Sequence, residues 1–93
     1  MVEYRNSTQI VADLLSFTQE SGQQGIKVTP LAVKSNLSYS RMSSFLKNLT
    51  GSELINKIEY DGKNAFVITE KGRTYLEEYK KFTSIANSFG LEL

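Results

Sequence analysis

The chain has 93 residues, 40% of them hydrophobic and 23% charged, which suits one small soluble domain with a single modest core. With no Cys and no His it lacks disulfides, the usual zinc ligands, a cysteine nucleophile and the commonest general base. A net charge of +1 argues against a heavily cationic, purely electrostatic nucleic-acid packager.

The first helix is expected to begin at Asn6 or Ser7, either of which can cap it. Ile10, Val11, Leu14, Leu15 and Thr18 form its apolar face. Ser21 to Gly25, SGQQG, ends it in a turn. Ile26-Lys27-Val28 alternates and is too short for a helix, so it reads as a stub of strand. Thr29 and Pro30 then predict a second, short helix over about Leu31 to Ser35, with Thr29 as N-cap and Pro30 at the first helical position.

Asn36-Leu37 turns the chain, and Ser38 caps a third helix over about Tyr39 to Leu49, ended by Thr50-Gly51. Met42, Phe45, Leu46 and Leu49 give it an apolar stripe. Its other face carries Ser40, Arg41, Ser43, Ser44, Lys47 and Asn48. Leu54 to Tyr60 and Ala65 to Ile68 are strand-like runs on either side of DGKN. Asp-Gly between such runs signals a hairpin, because a type I′ turn needs positive φ at both central residues. Thr69 caps a long helix over about Glu70 to Phe89, closed by Gly90. Tyr75, Tyr79, Phe82, Ala86, Phe89 and Leu93 recur along it at four, three, four, three and four, a heptad seam. Leu76 and Ile85 lie off the seam, available to the domain core.

The order of helix, strand stub, short helix, tight turn, helix, hairpin and long helix is that of a winged helix-turn-helix, mainly α with a small β hairpin. Residues 1–69 form the winged unit. Residues 70–93 form a coiled-coil-like helix packed on the same domain. NLSYSRMSSFLKNLTGSELI, the glycine-tipped hairpin and VITEKGRTYLEEYKKF resemble the small archaeal winged-helix DNA-binding proteins and their relatives in crenarchaeal viruses. The likeness spans roughly Thr29 to Phe82, and N-L-S-Y and T-E-K-G are its most specific parts. It implies binding of duplex DNA by a homodimer joined through the C-terminal helix.

The residues themselves support the same expectation. Between Ser21 and Ser52 stand four cations, Lys27, Lys34, Arg41 and Lys47, and no carboxylate. The acids before that stretch are Glu3, Asp13 and Glu20. A helix faced with short hydroxyls and cations can enter a major groove about 12 Å wide between walls of phosphate. Arg41 suits guanine O6/N7 or phosphate, Lys47 suits phosphate, and the serines allow close approach. Tyr39 either adds a contact at the helix N-terminus or is partly buried on the second helix. Lys63 and Asn64 at the hairpin tip either reach neighbouring DNA or are ordinary surface residues, and Lys34 either touches the backbone or faces water.

The seam residues Tyr75, Tyr79, Phe82, Ala86 and Phe89 are expected at a two-fold dimer interface. That would set two recognition helices about 34 Å apart. The expected function is a sequence-specific dimeric transcriptional regulator, with a DNA-coating protein or a protein-interaction module as alternatives. No catalytic motif stands out: G-x-S-x-G, S-x-x-K and a glycine-rich phosphate loop are all missing. An enzyme, a cofactor, a metal and a membrane partner are therefore not expected. With no signal-peptide layout and no apolar run of about 18 residues, a cytoplasmic location is expected.

Overall fold

The computed structural model of the chain describes residues 5–91 and, within them, every side chain but that of Tyr60. Glu3 and the seam position Leu93 lie outside the described residues. Among those described, no helix is long and apolar enough to cross a membrane.

Helix α1, Ser7–Glu20, starts at a reciprocal capping box. The Asn6 side chain accepts from the Gln9 N–H at 2.8 Å, and the Gln9 side chain accepts from the Asn6 N–H at 2.9 Å. Its inward face buries Ile10, Leu14 and Leu15, with Ala12 added and Val11 only partly buried. Thr18 is buried because its hydroxyl donates to the Leu14 carbonyl at 2.7 Å, so no polar group is stranded. A 3-10 turn, Gly22–Gln24, leads to Gly25 at φ 76°. A Cβ there would stand 2.6 Å from the Phe66 carbonyl oxygen, so the position admits only glycine. That approach lets Ile26 and Phe66 exchange both backbone hydrogen bonds at 2.9 Å, which is the strand stub reduced to one bridge.

Helix α2, Val28–Ser35, begins earlier than its sequence signals suggest. Lys27 takes the N-cap position without a side-chain bond, and Pro30 falls at the third helical residue instead of the first. The Ile26 bridge pins the chain immediately upstream. A helix leaves its first N–H groups without internal partners wherever in the first turn the proline sits, so Pro30 removes no bond. Thr29, freed from capping, places its hydroxyl 3.2 Å from that of Tyr39.

The N-L-S-Y stretch has a physical account residue by residue. Asn36 is left-handed (φ 56°, ψ 46°), its N–H bonds the Val33 carbonyl, and the Leu37 N–H bonds the Ala32 carbonyl, both at 3.2 Å. These two bonds close α2 as a Schellman motif. Leu37 packs on the core, and Ser38 then caps α3, Tyr39–Gly51, through the Arg41 N–H. Two helices thus meet across a three-residue turn. Arg5 fastens the far side, bonding Asp13 at 2.7 Å and donating to the Ser35 carbonyl at the C-terminus of α2.

Helix α3 runs two residues past Leu49, and its end is not made by Gly51. The left-handed residue is Glu53 (φ 64°), with Glu53 N–H on the Thr50 carbonyl at 3.1 Å and Leu54 N–H on the Leu49 carbonyl at 3.0 Å. Strands β1, Ile55–Tyr60, and β2, Lys63–Ile68, pair antiparallel with Tyr60 opposite Lys63. Asp61 (φ 55°) and Gly62 (φ 73°) form a two-residue turn with both φ values positive, as type I′ requires. Lys63 and Asn64 therefore belong to β2 rather than to the turn.

Helix α4, Glu70–Ser88, is seated by T-E-K-G. The Thr69 hydroxyl accepts from the Gly72 N–H at 2.9 Å and shares its hydrogen between the carbonyls of Glu53 and Leu54 at 2.7 and 3.1 Å. A Cβ on Gly72 would lie 2.2 Å from the Leu54 carbonyl oxygen, so the helix touches the wing base backbone to backbone. At its other end Gly90 N–H bonds the Asn87 carbonyl and Leu91 N–H the Ala86 carbonyl, both at 2.9 Å, the same kind of helix stop as at Asn36 and Glu53, here made by glycine. One hydrophobic cluster joins all four helices and the hairpin: Ile10, Leu14 and Leu15, with Leu31, Met42, Leu46, Leu49, Ile55, Phe66, Ile68 and Leu76.

The α4 surface departs from the sequence pattern at Tyr79 and Ala86, which turn toward the domain, and at Ile85, which turns outward. Ile85, expected to serve the core, is 57% exposed, whereas Ala86 is 6% exposed and Tyr79 packs on the domain. The outward row is Tyr75, Phe82, Ile85 and Phe89, spaced seven, three and four.

The α3–wing–α4 corner generates a paired prediction of opposite sign. Gly72→Ala should destabilise the fold by roughly 2–3 kcal/mol or more, because backbone cannot yield to the new methyl. Glu53→Gly should stabilise it by about 1 kcal/mol by relieving a left-handed residue. Thermal denaturation followed by circular dichroism reads both; equal melting temperatures for Gly72→Ala and wild type would refute the close approach.

Candidate nucleic-acid interface

Helix α3 is held by Met42, Leu46 and Leu49, which leaves Ser40, Arg41, Ser43, Ser44, Lys47 and Asn48 all exposed. At about 100° per residue these side chains do not form one face but a ridge with two flanks. Ser40, Ser44 and Gly51 lie farthest from Met42 and make the ridge. Lys47 and Ser43 descend toward the wing. Arg41 and Asn48 descend toward α1, about 120° of helix surface away from Lys47.

The surface hollows on either side match this division. On the wing side, Tyr39, Ser43, Lys47 and Thr50 of α3 share a groove with Lys57, Asn64 and Phe66. On the other side, Arg41, Ser44, Phe45 and Asn48 share a smaller hollow with Ser7 and Val11 of α1. The Arg41 guanidinium lies over the Phe45 ring, 5.8 Å from its centroid, which steadies a long side chain on that flank.

Each remaining candidate can be placed. Tyr39 is 64% exposed, and its hydroxyl meets α2 at the Thr29 hydroxyl, 3.2 Å away. Asn64 faces the groove, in register with Glu59. Lys63 is its neighbour on β2 and therefore points to the opposite face of the hairpin. Lys34 sits with its ammonium 5.9 Å from the Phe17 ring centroid and lines neither flank of α3.

Lys57 is the residue that sequence reasoning missed. It stands opposite Phe66 on the hairpin face that turns toward α3, and it lines the groove with Lys47. A two-residue Asp61-Gly62 turn read with the period-2 alternation of a strand would have put Lys57 on the face of Ile55 and Phe66. Described carboxylates nearby are peripheral: Glu53 follows α3, Glu59 and Asp61 lie at the wing tip, and Asp13 is paired with Arg5. Among the described residues no group of three or more Asp or Glu side chains is arranged to hold a metal ion.

No curated protein matches the chain. Among solved structures, Sso10a-2, a DNA-binding protein from Sulfolobus solfataricus, superimposes with a TM-score of 0.75 at 19% identity, covering 91% of this chain and 85% of that one. MepR, a transcription regulator of the Staphylococcus aureus multidrug efflux pump MepA, gives 0.74 at 16% identity over 86% of this chain and 60% of its own. A MarR family transcriptional regulator from Silicibacter pomeroyi gives 0.66 at 25% identity, over 86% and 52%. The chain thus spans little more than half the length of the two bacterial regulators. With a helix-turn-helix, a two-stranded wing and a family match over residues 4–87, the chain belongs to the winged helix-turn-helix family.

Proposed function

We propose that the protein is a homodimeric, sequence-specific DNA-binding regulator that places α3 in the major groove. The observation that carries this reading is the cross-section of α3: a ridge of Ser40, Ser44 and Gly51 between flanks bearing Arg41 and Lys47, with no carboxylate along its length. A small-residue ridge lets the helix axis approach base edges, and cations on both flanks meet the phosphate walls on either side. Arg41, inclined toward α1, is assigned to phosphate, leaving the ridge residues Ser40 and Ser44 nearest the bases. Lys57 and Asn64 extend the cationic flank onto the wing.

Sequence specificity is inferred from the charge. A net charge of +1 gives few phosphate contacts, so useful affinity must come partly from base edges and DNA shape. The description of Sso10a-2 as DNA-binding and the structure of MepR bound to DNA support the same use of the fold. The compartment this reading implies is the nucleoid or a host cytoplasm.

Dimerisation is assigned to the outward row of α4. Phe82 is 60% exposed and Phe89 77%, and with Tyr75 and Ile85 they line one side of a helix about 28 Å long. Phe82, Ile85 and Phe89 group toward its C-terminal end, set off from Tyr75 by Glu78, and an exposed apolar group of this kind marks a protein–protein contact. A two-fold axis through it presents two copies of α3 to one side of a duplex.

Titration against palindromic and scrambled duplexes at two salt concentrations tests specificity: the palindrome should bind at least tenfold more tightly. Equal affinities with long cooperative tracks would favour a DNA coat instead, and no shift with any duplex at low salt would favour a protein-interaction module. Arg41→Ala with Lys47→Ala should weaken binding at least tenfold and lower the slope of log K against log salt by about 2, at roughly 0.9 per lost phosphate contact. Its circular dichroism should be unchanged. For the interface, Phe82→Asp and Ile85→Asp should each sediment as monomers; a dimer persisting in both would rule out this side of α4.

A further inference from the structure

We propose that the groove between α3 and the wing is a binding site for an elongated amphipathic organic anion, and that this ligand competes with DNA. The groove has a volume of about 530 Å³, within the range of small-molecule sites. It runs along α3 through Tyr39, Ser43, Leu46, Lys47 and Thr50 to Gly51, the whole helix, which at about 1.5 Å per residue is close to 20 Å. Val28, Leu46 and Phe66 give it a floor of carbon. Lys47 comes to it from the helix and Lys57 from the strand.

This lining is a poor complement to a phosphate backbone alone. A phosphate oxygen gains from the two ammonium groups and nothing from the apolar floor. A carboxylate carried on an aliphatic chain gains from both: its head pairs with Lys47 and Lys57, and its tail covers Leu46 and Phe66. Glu59, on the same hairpin face, lies one step nearer the tip and is not part of the lining. The length of the groove favours an extended chain over a compact ring. An occupant would hold Lys47 and fill the side of α3 that faces the wing, so it and a duplex exclude one another. The competition rests on the DNA-binding reading above; the ligand site does not.

The experiment is an NMR titration of the ¹⁵N-labelled, DNA-free protein with decanoate, and separately with decyltrimethylammonium, the same chain with the opposite charge. Decanoate should move the amides of Ser43, Thr50, Asn64 and Phe66 saturably. The cation should bind at least tenfold more weakly. Lys57→Gln should weaken decanoate at least fivefold, and Ser43→Leu, which narrows the groove at an exposed position, should abolish the shifts while preserving the spectrum elsewhere. Equal binding of the cation, absence of saturable shifts, or shifts confined to Phe82, Ile85 and Phe89 of α4 would overturn the site. Decanoate added to a preformed protein–DNA complex should release the DNA over the same concentration range. DNA retained while the groove amides report occupancy would overturn the competition. A protein that binds decanoate but no duplex in its absence would reject the regulator reading and leave the groove site standing.

Discussion

The backbone contact between Leu54 and the start of α4 is the constraint on which the remaining geometry depends. Leu54 lies between α3 and the wing, and its carbonyl receives the Thr69 N–H at 3.2 Å while its oxygen lies 2.2 Å from where a Cβ of Gly72 would be. One small patch of main chain therefore fixes three things: the exit of α3, the root of the hairpin and the direction of α4. A side chain at position 72 would push α4 away from the wing and open the core beside Leu76 and Ile68. The hydroxyl of Thr69 completes the joint, because it satisfies a free N–H of the helix and two carbonyls of the α3–β1 connection together.

From this joint the character of the outer surface follows. With α3 and the hairpin fixed at one corner, they diverge over a floor of Leu46 and Phe66, and the cations of each element face the same space. The two flanks of α3 are chemically unlike. The Arg41 flank is a polar hollow against α1, steadied by the Phe45 ring, whereas the Lys47 flank is an apolar trough with charges at its edges. A planar, weakly hydrated guanidinium and a compact ammonium are suited to these different settings. Under the proposed function the same helix would meet a polyanion on its ridge, and the proposed amphipathic anion would lie at its side.

The polar interior is sparing and complete. Thr18 and Ser35, the buried polar residues, each return their hydroxyl to the carbonyl one turn earlier, and no buried side-chain nitrogen or oxygen among the described residues lacks a partner. The core specifies position without retaining an ionisable group, and the charges are left to the surface. This agrees with a domain whose chemistry is recognition by its exterior.

Sequence alone determined the elements and their order, because caps and turns are local. Asn36, Ser38, Asp61-Gly62 and Thr69 act through hydrogen bonds and backbone angles within a few residues, and each took the role its type dictates. The exposed face of α3 was legible for the same reason: its apolar stripe has one period. What only the tertiary structure decided were choices between neighbours that local chemistry leaves equal. Pro30 fits anywhere in a first turn, so the Ile26–Phe66 bridge chose the start of α2. Ile85 and Ala86 are both apolar and adjacent in the chain, so the packing of α4 on the domain chose which one faces outward. Lys57 acquired its place in the groove from strand register and the angle between wing and helix, which are set by contacts far apart in the chain.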